Sequence, residues 1–507
     1  MREHKSHASL KAIVIGLVVT VAGILTGCAQ PGTSITGNQK DTRTQSETAA
    51  ATSYAGRNAM VLTYNDETGT ESTIQYTPTT RKVLPGASLM GWSYSLDFGK
   101  TWKYGGKVSP PKGWAALWGD PAMTTSQAAY RYVFMSNLAI PDSKMPPGGI
   151  KGSVIVTGND SYIGGACFAR STDGGITFQN YQCVSNNVKN STPNTEKGHF
   201  YDGGSMASSR QGEIFAGFMD YTTGQIDVYR SPDANGTFKL LPNPFPNMDI
   251  YNHARLRVDL ASGALYVAGE GTNHVVYLNR YANGQWGQAV QASDVGVTFP
   301  CIAFEPGGCD TGSTKLHLRT GPQFSFDIGA ASDEAGSDAI RLLYTRQDPQ
   351  TQRFYVTGYR CPLALQPGCT AVPQWGTTPG NLSLKGDQFN PNVSAWPGFI
   401  GLAPAWKATY VEREEPTPSK ITLSQGNLGY LPNGTPIYVP FDLIKNQTFC
   451  PDQRGYWDDY DDMIMAGFIN GSTTASFFRP ISDSSLGCNS RWAMTSSHLH
   501  VRGFVFE

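Results

Sequence analysis

An eight-residue pattern occurs four times in the first 290 residues, and it constrains the fold more than any other feature of this sequence. The pattern reads Ser, any residue, Asp, any residue, Gly, any residue, Thr, aromatic. Two copies match fully and two match in part. They are SYSLDFGKTW at 93–102, ARSTDGGITF at 169–178, SPDANGTF at 231–238 and NGQW at 283–286.

The chemistry of these residues predicts a turn. Short Ser and Asp side chains bond to nearby backbone N–H groups, and Gly or Asn adopts a positive φ. The terminal aromatic residue can then return to an apolar layer. The segment before each copy alternates like a strand or is rich in β-branched and aromatic residues. Each copy is therefore predicted to close a β-hairpin.

Composition agrees with a chain of many short strands. Gly (56) and Pro (32) are abundant, and long runs of helix-forming residues are missing. The net charge is −1, from 39 Lys+Arg and 40 Asp+Glu, with no basic block beyond the N-terminus. This charge balance lacks the basic surface expected of a nucleic-acid-binding protein.

The pattern resembles the Asp-box, or BNR repeat, of sialidases and related proteins. In that family the box lies on the hairpin between the third and fourth strands of a β-propeller blade, away from the ligand pocket. The resemblance extends from residue 47 to about residue 290. It implies an all-β propeller of four-stranded antiparallel blades over residues 47–507, and a structural role for Asp97, Asp173 and Asp233.

The number of blades follows from counting first strands. Strand-like segments of this kind are expected to begin near residues 47, 120, 202, 253, 325, 390 and 460. This count favours seven blades, and the six blades of sialidase domains are the alternative.

The N-terminus predicts an exported, lipid-anchored protein. Basic residues precede an apolar run of 14 residues, AIVIGLVVTVAGIL, which is short for a membrane span. The sequence LTGC at 25–28 resembles the lipobox of bacterial lipoproteins, so residues 1–28 are predicted to be a signal peptide with Cys28 as the lipidated residue. A plain secretory signal is the alternative. Residues 29–46 are predicted to be a flexible tether. The expected location is the bacterial cell envelope, at the outer membrane, in the periplasm or on the cell surface.

The remaining cysteines favour the same location. Eight cysteines besides Cys28, an even number in an exported chain, suggest four disulfides. Pairing between sequence neighbours is predicted, namely Cys167 with Cys183, Cys301 with Cys309, Cys361 with Cys369 and Cys450 with Cys488.

In a propeller the first strands line the central channel, and the mouth of that channel is the expected ligand site. A ring of polar residues near the starts of these strands is predicted to bind a hydroxylated ligand or a cation. Its members are Glu47, Asp120, Asp202, His253 and Asp461. The alternative is that these side chains cap strand starts and bond to the backbone of neighbouring blades.

The resemblance to sialidases also implies a catalytic set. That family binds the substrate carboxylate with three arginines and uses a tyrosine nucleophile, a glutamate and an acidic aspartate. Its Phe/Tyr-Arg-Ile-Pro motif is missing here, since Arg57 lacks the Ile-Pro and Arg479 is at the other end of the chain. Candidates for the remaining roles are Arg255, Arg257 and Arg319 as the clamp, Asp120 as the acid, and Tyr456 or Tyr460 as the nucleophile.

No resident cofactor or metal is predicted, although calcium is an open alternative. The segment RGYWDDYDDM at 454–463 contains four aspartates, and carboxylate oxygens suit calcium. It lacks the spacing of an EF-hand loop, and strand alternation would send neighbouring carboxylates to opposite faces.

Three functions follow from these observations. The first is binding of a glycan or another extracytoplasmic ligand at the central mouth. The second is exo-sialidase or other glycoside hydrolase activity, which requires three converging arginines beside a buried Tyr–Glu pair. The third is an envelope scaffold for protein–protein interaction, which requires an exposed apolar or aromatic patch. Trp114, Trp118 and Trp396 suit either sugar stacking or protein contact.

Overall fold

The computed structural model describes most of the chain between residues 33 and 506. The described ranges are 33–35, 45–53, 59–70, 72–76, 81–129, 131–145, 148–151, 164–185, 201–294, 319–320, 324–329, 340–347, 354–366, 368–372, 386–396, 405–414, 421–430, 436–441, 456–458, 464–468, 475–484 and 499–506.

Within these ranges the secondary structure is almost entirely β. The strands are, in chain order, β1 (Thr33–Ser34), β2 (Gln45–Ser53), β3 (Ala59–Asp66), β4 (Ile74–Tyr76), β5 (Arg81–Val83), β6 (Met90–Ser95), β7 (Lys103–Lys107), β8 (Trp114–Thr125), β9 (Val133–Pro141), β10 (Ile150–Lys151), β11 (Gly165–Ser171), β12 (Gln179–Val184), β13 (Tyr201–Ser208), β14 (Ile214–Asp220), β15 (Gln225–Ser231), β16 (Lys239–Leu240), β17 (Ile250–Val258), β18 (Leu265–Gly271), β19 (Val276–Ala282), β20 (Gln285–Trp286), β21 (Val290–Gln291), β22 (Arg319–Thr320), β23 (Phe324–Ile328), β24 (Ile340–Gln347), β25 (Phe354–Cys361), β26 (Thr370–Val372), β27 (Gly386–Trp396), β28 (Ala405–Glu414), β29 (Ile421–Tyr430), β30 (Pro436–Phe441), β31 (Tyr456–Asp458), β32 (Ile464–Phe468), β33 (Ala475–Ser484) and β34 (Leu499–Phe506). One 3₁₀ turn, Asp142–Lys144, follows β9. No helix among the described residues is long and apolar enough to cross a membrane.

Seven antiparallel sheets of four or five strands follow one another along the described chain. We number them by their first strands: sheet 1 (β2, β3, β6, β7), sheet 2 (β8, β9, β11, β12), sheet 3 (β13 to β16), sheet 4 (β17 to β20, with β21), sheet 5 (β23 to β26), sheet 6 (β27 to β30) and sheet 7 (β32, β33, β34, β1). Two smaller sheets, β10-β5-β4 and β22-β31, lie outside this series.

The first strands of consecutive sheets contact one another in a closed circle. β2 contacts β8, and the contacts continue through β13, β17, β23 and β27 to β32, which contacts β2. Sheet 7 is completed by the N-terminal strand β1, which pairs with β34. This closed arrangement of four-stranded antiparallel sheets is a β-propeller, as the sequence predicts. The seven-blade count itself stays a prediction, since it covers only the described residues.

The core consists of apolar layers between neighbouring sheets. Layers of this kind join sheets 7 and 1, 1 and 2, 2 and 3, 3 and 4, 4 and 5, and 5 and 6. Second strands are therefore covered on both faces, and every residue of β14 (IFAGFMD) and β18 (LYVAGEG) is buried. Strands covered on both faces read as nearly continuous apolar runs. Fourth strands such as β7 and β16 are exposed or partly exposed, since they form the outer rim.

The two ends of the propeller differ. First and third strands run in the same direction, so the starts of the first strands and the ends of the third strands lie at opposite ends. We call these the mouth end and the box end. The four repeated motifs lie at the ends of the third strands β6, β11, β15 and β19 and connect each of them to the fourth strand of its sheet, with the last motif including β20 itself. The predicted hairpin at each motif is therefore confirmed.

The two full motifs fold identically. In the first, Ser95 Oγ accepts the Gly99 N–H at 2.7 Å and donates to Asp97 Oδ1 at 2.8 Å. Asp97 also accepts the backbone N–H and the hydroxyl of Thr101, at 2.8 and 2.6 Å. In the second motif Asp173 makes the equivalent bonds with Ser171 and Thr177. These aspartates are used within their own turns.

Two of the predicted disulfides are present. Cys167 pairs with Cys183 across β11 and β12, and Cys361 pairs with Cys369 in sheet 5. The other predicted pairs, Cys301 with Cys309 and Cys450 with Cys488, lie outside the described residues, as does Cys28. Within the predicted tether 29–46, Thr33–Ser34 form β1 and Gln45–Ser46 begin β2.

Candidate functional site at the mouth of the central ring

Most of the first strands contain a β-bulge. The pairing register shifts between Ser46 and Thr48 in β2. Equivalent shifts leave two residues unpaired in four other first strands: Asp120-Pro121 in β8, Gly203-Gly204 in β13, His253-Ala254 in β17 and Asn390-Pro391 in β27. A bulge bends its strand and redirects side chains, and bulges are common beside functional sites. Sheets 1, 2, 3, 4 and 6 thus have an irregular backbone in their first strands.

Three bulges begin with a residue in the left-handed region. The φ values are 54° for Asp120, 55° for Gly203 and 49° for Asn390. Asp, Asn and Gly tolerate this conformation better than other residues. The proline that follows Asp120 and Asn390 lacks an N–H, and a bulge is one of the few sheet positions where this does not remove a ladder bond.

The β8 bulge is fixed to sheet 1. The N–H of Asp120 donates to Asn65 Oδ1 at 2.8 Å, and the N–H of Gly119 donates to Asn137 Oδ1 at 2.8 Å. Gly119 has a φ of +134°, and a Cβ there would lie 2.6 Å from Asn65 Oδ1. Only glycine allows this close approach between sheets 1 and 2.

Hydrogen bonds also link one first strand to the next. Ser205 Oγ on β13 accepts the N–H of Leu256 on β17 at 3.0 Å, and Ser325 Oγ on β23 accepts the N–H of Val393 on β27 at 3.2 Å. Asp327 on β23 accepts the N–H of Ala395 at 2.7 Å. The inner ring is therefore held by side chain to backbone bonds across sheets.

A small cavity, with a water-accessible volume of about 10 Å³, opens beside the bulges of sheets 1 to 4. It combines two hydroxyl groups, one guanidinium group and an apolar wall. Its lining residues are Thr48, Ala49, Pro121, Ala122, Met123, Gly204, Ser205, Met206 and Arg255.

Two of the predicted ring residues, Asp120 and Asp202, have described side chains, and neither is among the residues that line the cavity. Asp120 precedes the lining residue Pro121. Asp202 accepts the N–H of Gly203 at 2.8 Å, so it caps its own bulge. Glu47 lies at the bulge of β2 and His253 at that of β17, and their side chains lie outside the described part of the chain. Asp461 and Tyr460 lie outside it entirely.

The three predicted arginines are placed differently from one another. Arg255 lines the cavity. Arg257, two residues further along β17, lies 3.5 Å from Asp327 Oδ1 and donates to the carbonyl of Leu256. Arg319 is in β22, whose backbone pairs with β31 opposite Tyr456, and its side chain is not described.

A buried tyrosine–glutamate pair lies between sheets 4 and 5, outside the cavity lining. The hydroxyl of Tyr344 donates to Glu270 Oε1 at 2.8 Å, and His274 Nδ1 lies 3.1 Å from the same oxygen. Burial, followed by the Glu270 charge, raises the pKa of Tyr344. The hydrogen bond to Glu270 raises the pKa of His274 against an opposing effect of burial.

Tyr201 forms a second buried pair with Asp227, within sheet 3. Its hydroxyl donates to Asp227 Oδ2 at 2.6 Å and contacts the hydroxyl of Tyr229 at 2.8 Å. Burial and then the Asp227 charge raise the pKa of Tyr201. Tyr201 and Tyr344 are therefore protonated donors at neutral pH and not ionised nucleophiles. Among the described residues no cluster of His, Cys, Asp and Glu suited to a metal ion occurs.

Several solved structures are similar to this chain at low identity. The chain is 11% identical to an α-L-arabinofuranosidase from Fusarium graminearum, with a TM-score of 0.41 and coverage of 79% of this chain and 97% of that one. It is 10% identical to the Trypanosoma rangeli sialidase in complex with sialic acid (TM-score 0.39; 82% and 57%). It is 9% identical to an α-L-arabinanase from Penicillium chrysogenum complexed with arabinobiose (TM-score 0.39; 82% and 99%).

No family model and no curated protein sequence matches this chain. Identities near 10% and TM-scores below 0.5 assign it no activity.

Proposed function

We propose that this chain is an exported, lipid-anchored propeller that binds a glycan at its central mouth. The observation that carries the proposal is the cavity beside the bulges, whose lining includes the partly exposed Arg255 together with the buried side chains of Thr48 and Ser205 and several apolar residues. Hydroxyl and guanidinium groups suit the hydroxyl and carboxylate groups of sugars, and apolar side chains suit the faces of a sugar ring. Lipidation at Cys28 and a place in the cell envelope are part of the same proposal.

Binding is favoured over hydrolysis by the composition of the cavity. Among the described residues, one arginine lines it, and no carboxylate or tyrosine does. A sialidase-type mechanism requires a cluster of arginines with a tyrosine and acidic groups at the same place. The Tyr344–Glu270 pair has the right chemistry, but both side chains are buried between sheets.

The experiment is a glycan array probed with the full chain, purified in detergent and fluorescently labelled. Binding to a limited set of glycans is expected, and Arg255→Met is expected to weaken it at least about tenfold, because loss of a charge-assisted contact costs roughly 1.5–3 kcal/mol. Asp233→Asn is the matched control, since it removes an exposed charge at the box end.

Two results would contradict the proposal. One is a wild-type protein that binds no glycan on the array. The other is equal binding by wild type and Arg255→Met. Release of a fluorophore from a fluorogenic sialoside would favour the hydrolase alternative instead.

A further inference from the structure

The path of the N-terminal strand indicates which end of the propeller is near its anchor. β34 is the third strand of sheet 7 and runs toward the box end. β1 is antiparallel to it, with Thr33 opposite Gly503 and Ser34 opposite Arg502. The chain therefore enters β1 from the box end.

Little chain separates β1 from the predicted lipidation site. Four residues, 29–32, lie between Cys28 and Thr33. At 3.3–3.6 Å per residue, Cys28 lies at most roughly 18 Å from Thr33. Ile35, directly after β1, is buried against Met60 of sheet 1 and Phe478 of sheet 7, which fixes this segment in the fold. A lipid on Cys28 would hold the box end close to the bilayer.

Most of the exposed large apolar side chains lie at the same end. The described residues include five exposed large hydrophobic side chains. Leu96 and Ile176 lie within the box turns, and Leu240 is in β16, the fourth strand that follows the third box. Tyr104 is near the start of β7, but its hydroxyl donates to Asp66 at the end of β3, toward the mouth end. The fifth, Tyr221, lies at the mouth end, after β14.

Among the exposed charged side chains, basic residues predominate at the box end and acidic residues at the mouth end. Among the described residues, the box end exposes five basic side chains and one acidic side chain: Lys100, Lys103, Arg131, Arg210, Lys239 and Asp233. The mouth end exposes one basic and three acidic side chains: Lys112, Asp142, Asp249 and Asp294. A basic surface that includes exposed apolar side chains is suited to the headgroup region of an anionic bilayer.

We propose that the box end docks on the surface of an anionic phospholipid bilayer, so that the mouth faces away from the membrane. This inference rests on the proposed function, because the lipid anchor on Cys28 is what brings the propeller close to the membrane. The new claim is that the box end is the face that contacts the bilayer. In this orientation the cavity beside Arg255 faces away from the membrane and is open to soluble or extracellular ligands.

The test uses the full chain reconstituted in phosphatidylcholine vesicles with and without phosphatidylglycerol. An environment-sensitive fluorophore is attached at Ile176→Cys, in a box turn, or at Thr272→Cys, an exposed position after β18 at the mouth end. Quenching by a spin-labelled phospholipid is measured, and mass spectrometry determines whether Cys28 is acylated. We expect quenching roughly twofold stronger or more at position 176, because a surface segment enters the headgroup region by several ångströms.

Charge variants make the test specific. Arg131→Glu with Arg210→Glu changes two exposed turn residues at the box end, and Lys112→Glu is the matched control at the mouth end. The double variant is expected to lower quenching at position 176 in vesicles with phosphatidylglycerol, whereas the control leaves it unchanged.

Each outcome is decisive. Equal or stronger quenching at position 272, or no vesicle binding at all, overturns the proposed docking face. Unacylated Cys28 with preferential quenching at position 176 overturns the proposed anchor and leaves the docking face supported.

Discussion

The indole ring of Trp102 packs against the phenyl ring of Phe478, with ring centroids 5.4 Å apart. Trp102 ends the first box in sheet 1, and Phe478 belongs to β33 in sheet 7. The next two boxes repeat this relationship, since Phe178 contacts Trp92 of sheet 1 at 5.3 Å and Phe238 stacks on Phe168 of sheet 2 at 4.1 Å. The aromatic residues of these three boxes therefore pack against the preceding sheet, and the first of them joins sheets from the two ends of the chain.

Removing the first of these contacts is expected to weaken closure of the propeller. Trp102→Ala deletes a large ring from the layer between sheets 7 and 1, and such truncations cost about 3 kcal/mol or more of the free energy of unfolding. The measurement is urea unfolding followed by circular dichroism. Leu96→Ala is the control, since Leu96 is exposed in the same turn. Equal stability of the two variants would contradict the proposed closure.

The box aspartates are expected to make stability depend on pH in the acid range. Burial opposes ionisation of Asp97, but hydrogen bonds from Thr101 and Ser95 outweigh it and lower the pKa below 3.8. The stabilisation is thus present above pH 3.8 and is lost as the pH falls through the folded-state pKa. Because Asp97 is partly exposed, Asp97→Asn should cost only about 1 kcal/mol at pH 7, and progressively less as the pH falls below 3.8. A cost that does not change with pH would argue against this role.

His274 is expected to have the opposite dependence. Its pKa is raised above 6.5, chiefly by the hydrogen bond to Glu270. The contribution of protonated His274 to the free energy of unfolding is complete below pH 6.5 and is lost as the pH rises through the folded-state pKa of His274. Thermal unfolding of wild type and His274→Gln should differ more at pH 6 than at pH 9. Tyr355→Phe, in β25 of sheet 5, is the control. The assignment is wrong if the difference grows with pH.

The two remaining cysteine pairs can be identified directly. Peptide mapping of the unreduced protein should recover Cys301 linked to Cys309 and Cys450 linked to Cys488, because neighbour pairing already holds for Cys167 with Cys183 and Cys361 with Cys369. Crossed linkages, or free thiols at these four positions, would contradict the prediction.

The features predicted correctly from sequence are those determined by local chemistry. The Ser/Asp/Gly turn fixes its own geometry, so the hairpins at Asp97 and Asp173 follow from eight residues each. Six of the seven expected first strands lie where the sequence predicts them. Strands β2, β8, β13, β17, β23 and β27 include residues 47, 120, 202, 253, 325 and 390, respectively. The seventh, expected near residue 460, begins at Ile464.

Apart from Arg255, the residues that line the cavity were not predicted, because the lining depends on the bulges. One extra residue in a strand exchanges the two faces, so a side chain assigned to the mouth by alternation no longer points there. Asp202 caps its own bulge for this reason, and Ser205 lines the cavity instead. Asp-Pro at 120–121, Gly-Gly at 203–204 and Asn-Pro at 390–391 are the signals in the sequence. They share no common motif, and they resemble ordinary loop residues.

Hydrogen–deuterium exchange of the full chain, with and without the glycan that binds most tightly on the array, tests the central claim most directly. The account predicts slower exchange on ligand binding in residues 46–49, 119–123 and 203–206, where the bulges border the cavity. Slower exchange confined to the box hairpins, or no change at saturating glycan, would contradict it.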